Sequence, residues 1–285
     1  MKNLKLPAIP PDAHKYSRGS LLILGGSISF PGAAILAACS GALTGAGYVT
    51  LAIPASVVPI AQAHLLSIPV VGGKETNGVF AADALLGILQ RINHIDAVVI
   101  GPGLTTTSST MEFVRAVQAW ATETHIPLLL DADALNAIAT NVGVLDANTV
   151  APNLPKSTRQ IFTPHAGELA RLFASTATAT AKELACQQKA VVVAKGPSTL
   201  ITDGIRVATC NEGTPALAKA GTGDVLSGII GSLLAQGMEA FEAAEAGVVI
   251  HARAGRHAEN TYGTRSVMAE HLLEVLPAVL REVLA

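Results

Sequence analysis

Between Arg18 and Lys74 the chain carries no Asp, Glu, Lys or Arg. A charge-free run of that length has two homes: a lipid bilayer, or the middle of a protein covered on every side. A bilayer span needs about 20 consecutive apolar residues in one helix. This run is instead cut by Gly25-Gly26-Ser27, Pro31-Gly32, Gly45-Ala46-Gly47, Pro54 and Pro59, and its best helical stretch, 33–46, is short and Ala/Gly-rich. Asp12, His14 and Lys15 ahead of it do not make the leader of a secretory signal. The run therefore reads as a buried sheet with its covering helices, in a soluble, cytoplasmic protein without a membrane partner.

Half of the 285 residues are hydrophobic and only 14% are charged, which suits one large domain over 1–285 built around a single core. A net charge of −2 offers nothing to nucleic acid or to an anionic membrane, so any anionic ligand must be held by local donors. The three cysteines, Cys39, Cys186 and Cys210, are far apart with no CxxC, and read as reduced thiols. No HExxH occurs and His251 with His257 lack a zinc spacing, so no structural metal is expected.

Short apolar runs alternate with helical patterns. Strands are expected at 21–26, 48–53, 97–103, 127–133 and 190–196, several of them apolar on both faces as in a sheet covered on both sides. Helices are expected near 33–46, 80–92, 108–124, 133–140 and 178–188, with a mainly helical tail from 224. STLITDGIRVATC (198–210) carries an Asp203-Gly204 hairpin signal. Alternating units of this kind give an α/β fold with a mostly parallel central sheet and helices on both faces.

Ligands of such sheets sit at the carboxyl ends of the strands. Gly25-Gly26-Ser27, Gly101-Pro102-Gly103, Asp131 with Asp133, Thr163-Pro164-His165 and Lys195-Gly196 each follow a strand. Singly, each has an ordinary reading: a tight turn, a helix cap, a snorkelling lysine. Residues 218–237, AKAGTGDVLSGIIGSLLAQG, are harder to dismiss. Gly221-Thr222-Gly223 would leave backbone N–H groups bare at a helix mouth, suited to a phosphate, with Asp224 beside them. An acid next to an anion cradle is electrostatically wasteful unless it does chemistry. The set suits phosphoryl transfer, which needs phosphate donors, usually magnesium, and a carboxylate to orient the attacking hydroxyl.

GTGDVLSGIIGSLLAQG resembles the catalytic motif of the ribokinase-like superfamily. Taken in order with HK (14–15), GGS and PGAA (25–34), GALTGAGYVTLAIP (41–54), GPGL (101–104), DADALN (131–136), TPHAGELARL (163–172) and KGPSTLI (195–201), it resembles the ATP- or ADP-dependent NAD(P)H-hydrate dehydratases across almost the whole chain. The resemblance implies a ribokinase-like three-layer fold and repair of NADH or NADPH hydrate, S epimer. The ring hydroxyl is phosphorylated by ATP or ADP and phosphate is then eliminated. It implies Asp224 as catalytic residue, and Ala33 or Ala34, Gly103, His165 and Asp224 at the hydrate. Lys195, Gly196, Pro197, Ser198, Thr199, Gly221, Thr222 and Gly223 would hold the nucleotide. Magnesium is the expected cofactor, with Glu168 or the acids of DADALN, Asp131 and Asp133, as helpers through water.

The chain departs from the family pattern at Phe30-Pro31, where Tyr-Thr is common, at Ala220 in AGTGD, in the loose run NEGTPALAKAG (211–221), and in HARAGR (251–256), which lacks a following acid. The competing reading is a small-molecule kinase of the same superfamily acting on a vitamin-type alcohol, which leaves TPHAGE, GPGL and KGPST together unexplained. The partner activity, an NAD(P)H-hydrate epimerase, is expected on another chain. Low charge and the Leu- and Val-rich segment 267–284 suggest a homo-oligomer, a tetramer before a dimer; related dehydratases and kinases often form dimers or tetramers.

Overall fold

The computed structural model describes residues 4–139, 159–172 and 180–284. Its strands are β1 (Ser20–Leu24), β2 (Tyr48–Pro54), β3 (Val70–Gly73), the short pair β4 (Glu75–Thr76) and β5 (Val79–Phe80), β6 (Ala97–Ile100), β7 (Leu128–Leu130), β8 (Gln160–Phe162), β9 (Val191–Ala194), β10 (Thr199–Thr202) and β11 (Val207–Cys210). The α-helices are α1 (Pro31–Leu43), α2 (Val58–His64), α3 (Ala84–Leu89), α4 (Ser108–Glu123), α5 (Asp133–Ala139), α6 (Ala166–Leu172), α7 (Ala181–Gln188), α8 (Thr222–Ala235), α9 (Ala240–Tyr262) and α10 (Ala269–Leu284).

Among the described residues nine strands form one sheet in the order β11-β10-β9-β8-β7-β6-β1-β2-β3. From β9 to β3 all neighbours are parallel, while β10 and β11 add an antiparallel edge turned at Asp203-Gly204, as the hairpin signal requires. Alternation along each strand sorts the core into two layers. Leu21, Ile23, Leu51 and Val99 face α1, α8, α9 and α10. Leu22, Leu24, Val98, Ile100 and Leu130 face α3, α4, α5 and α7. Strands covered on both faces leave little room for polar side chains, Ser20 and Thr50 being buried exceptions in β1 and β2, and this is why the runs read as almost continuously apolar.

The charge-free run folds as β1, α1, β2, α2 and β3. Among the described residues no helix is long and apolar enough to cross a membrane. The Ala/Gly face of α1 lets it approach α8 closely. A Cβ on Gly228 would stand 2.0 Å from Ser40 Oγ and 2.1 Å from the Ala37 carbonyl of α1. On the sheet side, a Cβ on Gly231 would meet Val99 at 2.4 Å. Helix α8 is accordingly buried along its length except at Gly223 and Asp224.

The expected helix over 80–92 is shorter, because Val79–Phe80 pairs with Glu75–Thr76 and only Ala84–Leu89 is helical. Capping boxes at Thr107 and Thr180 start α4 and α7. Residues 140 and 178–179 of two expected helices lie outside the described residues. The C-terminal segment is corrected in one respect. The apolar stripe Leu272, Leu276, Val279 and Val283 of α10 is buried inside the chain, mainly against α9 and α1, so it is not a surface left over for a second subunit.

The close approach of α1 and α8 yields a test. Gly228→Ala should cost about 1–3 kcal/mol by overpacking. Gly87→Ala, in helix α3 with nothing within 4 Å of its Cβ position, should be neutral or stabilising by up to about 1 kcal/mol. Urea unfolding of the two variants beside the wild type measures both.

Candidate active site

The loops at the carboxyl ends of β1, β6, β7, β8 and β9 converge on one rim. Glycine makes the convergence possible at two points. Gly101 has φ +130°, and a Cβ there would lie 1.8 Å from the Asp131 carbonyl. Gly103 has φ +70°, and its missing Cβ lets Ala33 and the Phe30 carbonyl close to 3.0 and 2.4 Å of that position. The two alanines of PGAA thus separate. Ala33 stands beside Gly103 at the rim, whereas Ala34 is fully buried against Gly25 and Gly26.

Behind the rim lies a buried ionic network. Asp131 is 1% exposed; its Oδ1 accepts from Lys195 Nζ at 2.7 Å and from Thr163 Oγ1 at 2.7 Å. Its Oδ2 accepts from Ser227 Oγ, also at 2.7 Å. Burial alone would push the Asp131 carboxyl up, but the Lys195 ammonium and the hydrogen bonds outweigh it and hold the group below its ordinary value. Burial likewise works against the Lys195 ammonium, and the carboxylates of Asp131 and Glu168 overcome it, so Lys195 is held firmly charged. Glu168 Oε2 is 3.9 Å from Lys195 Nζ and accepts from the His165 backbone N–H at 2.8 Å.

His165 caps α6. Its Nδ1 accepts from the N–H groups of Gly167 and Glu168, at 3.0 and 3.3 Å, which leaves the ring hydrogen on Nε2, 3.5 Å from Glu168 Oε1. Asp133 accepts from the Thr105 N–H at 2.9 Å and so fastens the loop after Gly103. Asp131 and Glu168 are bound into these contacts, and among the described residues no three metal-ligating side chains are grouped together.

Asp224 is different. It sits in the first turn of α8 and, among the described residues, accepts no hydrogen bond. Burial, then the Asp131 charge, raise its carboxyl to about 7; Lys195 opposes this, while Asp133 and Glu168 add to it. Its turn is pinned from behind. Gly221 adopts φ +89° to open the helix, and Ala220, out of the positive-φ region, takes the alanine without strain. Thr222 Oγ1 bonds the carbonyls of Leu217 and Lys219, and His251 of α9 meets the Thr222 carbonyl at 2.8 Å. Burial drives His251 down to about 4, so it is a neutral donor there. A Cβ on Gly223 would lie 3.6 Å from Lys195 Nζ, which puts the mouth of α8 against the ammonium.

Beside this mouth opens a cleft of about 760 Å³. Pro197, Leu217, Leu226 and Val248 give it apolar walls, and Lys195, Gly196, Thr199, Thr222 and Gly223 line it too. Two of the expected nucleotide residues stand apart. Ser198 donates to Asn211 Oδ1 at 2.7 Å, and Gly221 faces Ala269 and Leu36. Thr163 entered the sequence reading only as part of the Thr163-Pro164-His165 strand end, His251 only as half of a pair without a zinc spacing, and Ser227 escaped it. Ser227 lies three residues after Asp224, one helical turn on, and that spacing could have flagged it.

The layers and strand order define a ribokinase-like α/β protein. A ribokinase-like superfamily protein from Enterococcus faecalis V583 matches at a TM-score of 0.81 and 23% identity, covering 98% of this chain and 92% of its own, which speaks for the fold. A family model described as NAD(P)H-hydrate dehydratase matches residues 21–278, and the chain belongs to that family. Curated relatives include the bifunctional NAD(P)H-hydrate repair enzymes Nnr of Moorella thermoacetica and Salinibacter ruber. They are 37% and 36% identical over 97% of this chain, and the match covers 52% and 51% of their own length. The chain spans about half the length of these relatives. They are named bifunctional, which leaves the expectation of an epimerase on another chain without support. An ADP/ATP-dependent NAD(P)H-hydrate dehydratase from Bacillus subtilis, co-crystallised with ATP/Mg2+, is 29% identical with a TM-score of 0.78, covering 98% of this chain and 94% of that one.

The environment of Asp224 predicts a pH-dependent stability. Its folded value of about 7 exceeds the ordinary 3.8, so the folded chain keeps this proton where the unfolded chain has lost it. Stability from this group is therefore present below about pH 4 and lost as pH rises toward 7. Asp224→Asn should raise Tm by roughly 3–8 °C at pH 8 and much less at pH 5. Calorimetry at the two pH values is the check.

Proposed function

We propose that this chain dehydrates the S epimer of NADH or NADPH hydrate at the expense of ATP or ADP. The observation that carries the reading is Asp224: a carboxylate without a hydrogen-bond donor among the described residues, raised to about 7, at the mouth of a glycine-opened helix and beside Lys195. The apolar cleft walls suit an adenine, and its phosphates would then lie toward Lys195 and the N–H groups of Ala220 to Gly223. The hydrate would enter along Ala33, Gly103 and His165.

Asp224 takes the proton of the ring hydroxyl as its oxygen attacks the terminal phosphorus, and the shortened nucleotide leaves. The phosphorylated carbon then loses phosphate as the C–O bond breaks, a neighbouring ring carbon gives up its proton to the departing phosphate, and the ring double bond returns. The N–H groups at the mouth of α8 stabilise the charge on the transferring phosphoryl group. Magnesium, when bound, screens the phosphate charge; the committed carboxylates of Asp131 and Glu168 favour an ion held by the phosphates and by water over a direct Glu168 ligand.

The free cysteines Cys39, Cys186 and Cys210 support a reducing, cytoplasmic setting. A homo-oligomer, dimer or tetramer, is retained from the low charge content, with a surface other than the buried stripe of α10 as its interface. Light scattering reads this directly, and a mass of one chain at all concentrations removes it.

The reaction is tested by incubating the protein with NADPH hydrate, ATP or ADP, and magnesium, and following the reduced-nicotinamide absorbance. Asp224→Asn should lower turnover by about 10²–10⁴ while nucleotide still binds. In the wild type kcat/KM should rise with pH through about 7 as Asp224 ionises. Nucleotide at 100 times its Kd should stabilise the chain by about 2.7 kcal/mol. Recovery of absorbance without nucleotide, or undiminished turnover in Asp224→Asn, would sink the proposal.

A further inference from the structure

The cations that line the cleft are not equally free to meet an anion. Lys195 is bonded to Asp131 and lies 3.9 Å from Glu168, and Asp224 and Asp133 add further negative charge to the same corner. His251 is neutral, and the His165 ring uses Nδ1 as an acceptor in its own turn. A nucleotide di- or triphosphate brought to this corner meets more carboxylate than ammonium. A backbone cradle alone offers dipoles, not a compensating charge.

Lys219 is the exception. It lines the cleft and is exposed, and among the described residues it has no carboxylate partner; its Nζ donates only to the neutral carbonyl of Arg265, at 2.6 Å. Its backbone is fixed, because the Lys219 carbonyl accepts from Thr222 Oγ1 at 2.9 Å and from the Thr222 N–H at 3.4 Å. The root of the side chain is thereby tied to the first turn of α8, next to the exposed Ala220, while its ammonium rests on a weak acceptor in solvent. A phosphate oxygen is a stronger acceptor for an ammonium than a neutral carbonyl.

We infer that Lys219 is a phosphate-binding residue of the nucleotide cleft, leaving the Arg265 carbonyl to neutralise the β- and γ-phosphates. This rests on the nucleotide reading of the cleft. Lys219 supplies the charge that Lys195, held by Asp131, does not, and through it the chain distinguishes nucleotides by the number of phosphates beyond the first. Its ammonium stands at the outer lip and leaves the adenosine end untouched.

The test is calorimetric titration of ATP, ADP and AMP into the wild type, Lys219→Met and Lys219→Arg, without hydrate so that no turnover occurs. Lys219→Met keeps the apolar stem and should weaken ATP and ADP at least about tenfold, and AMP less than twofold. Lys219→Arg should return ATP to within about threefold of the wild type. Equal losses for all three nucleotides, no loss at all, or an Arg variant as weak as the Met variant would overturn the inference while the nucleotide reading stands. A wild type that binds none of the three would overturn the nucleotide reading itself, and the inference with it. Because the side chain is exposed, apo Tm should be unchanged in both variants, and a falling Tm with uniform losses marks a structural effect and counts against the inference.

Discussion

The bond between Asp131 and Lys195 holds the site together. It joins the ends of β7 and β9; Thr163 brings in the end of β8 and Ser227 ties on α8. Four separate segments of chain are thus referred to one buried carboxylate. An ion pair of this kind gives little net stability, since desolvation offsets attraction, but removing one member leaves the other charge stranded at a cost of about 3–5 kcal/mol. Its value lies in geometry. With both Asp131 oxygens occupied, its charge stays in place, and that fixed negative charge helps Asp224 keep a proton near neutrality.

The same economy governs the helix that carries Asp224. A helix buried on all sides cannot move toward a ligand, so its mouth is set by its neighbours: α1 through Gly228, the sheet through Gly231, and α9 through His251. Gly247 of α9 extends the pattern, since a Cβ there would lie 2.4 Å from Ile230 of α8. The mouth of α8 is rigid because the glycines that shape α8 admit backbone and side chains into van der Waals contact on three sides.

Much of this was legible beforehand. The two-sided apolar runs specify a covered parallel sheet, the Asp203-Gly204 hairpin appears where its turn signal stands, and the special residues at strand ends do share one rim. What escaped was mostly long-range. Thr163 and Ser227 look like ordinary hydroxyls in sequence, and only the fold brings them, 32 and 96 residues away from Asp131, within hydrogen-bond distance. His251 offers no signal of its own in sequence, yet it stands half-buried under the α8 mouth with its ring against the Thr222 carbonyl. The strand at 70–73 was missed because its two glycines break an already short apolar signal, and the stripe of α10 was misjudged because its cover, α9 and α1, is known only once the layers are assembled.

The position of α8 also sets a timetable. It is the inner cover for Leu21, Val99 and the face of α1, yet it lies about 200 residues after β1 in the chain. At translation rates of about 5–20 residues per second the first strands and α1 emerge roughly 10–40 s before the helix that completes their layer. Through that interval a charge-free segment, without the lysines and glutamates that keep nascent chains apart, waits with an apolar groove open. The feature that makes the finished helix mouth rigid leaves the unfinished chain dependent on whatever shields it until α8 itself arrives.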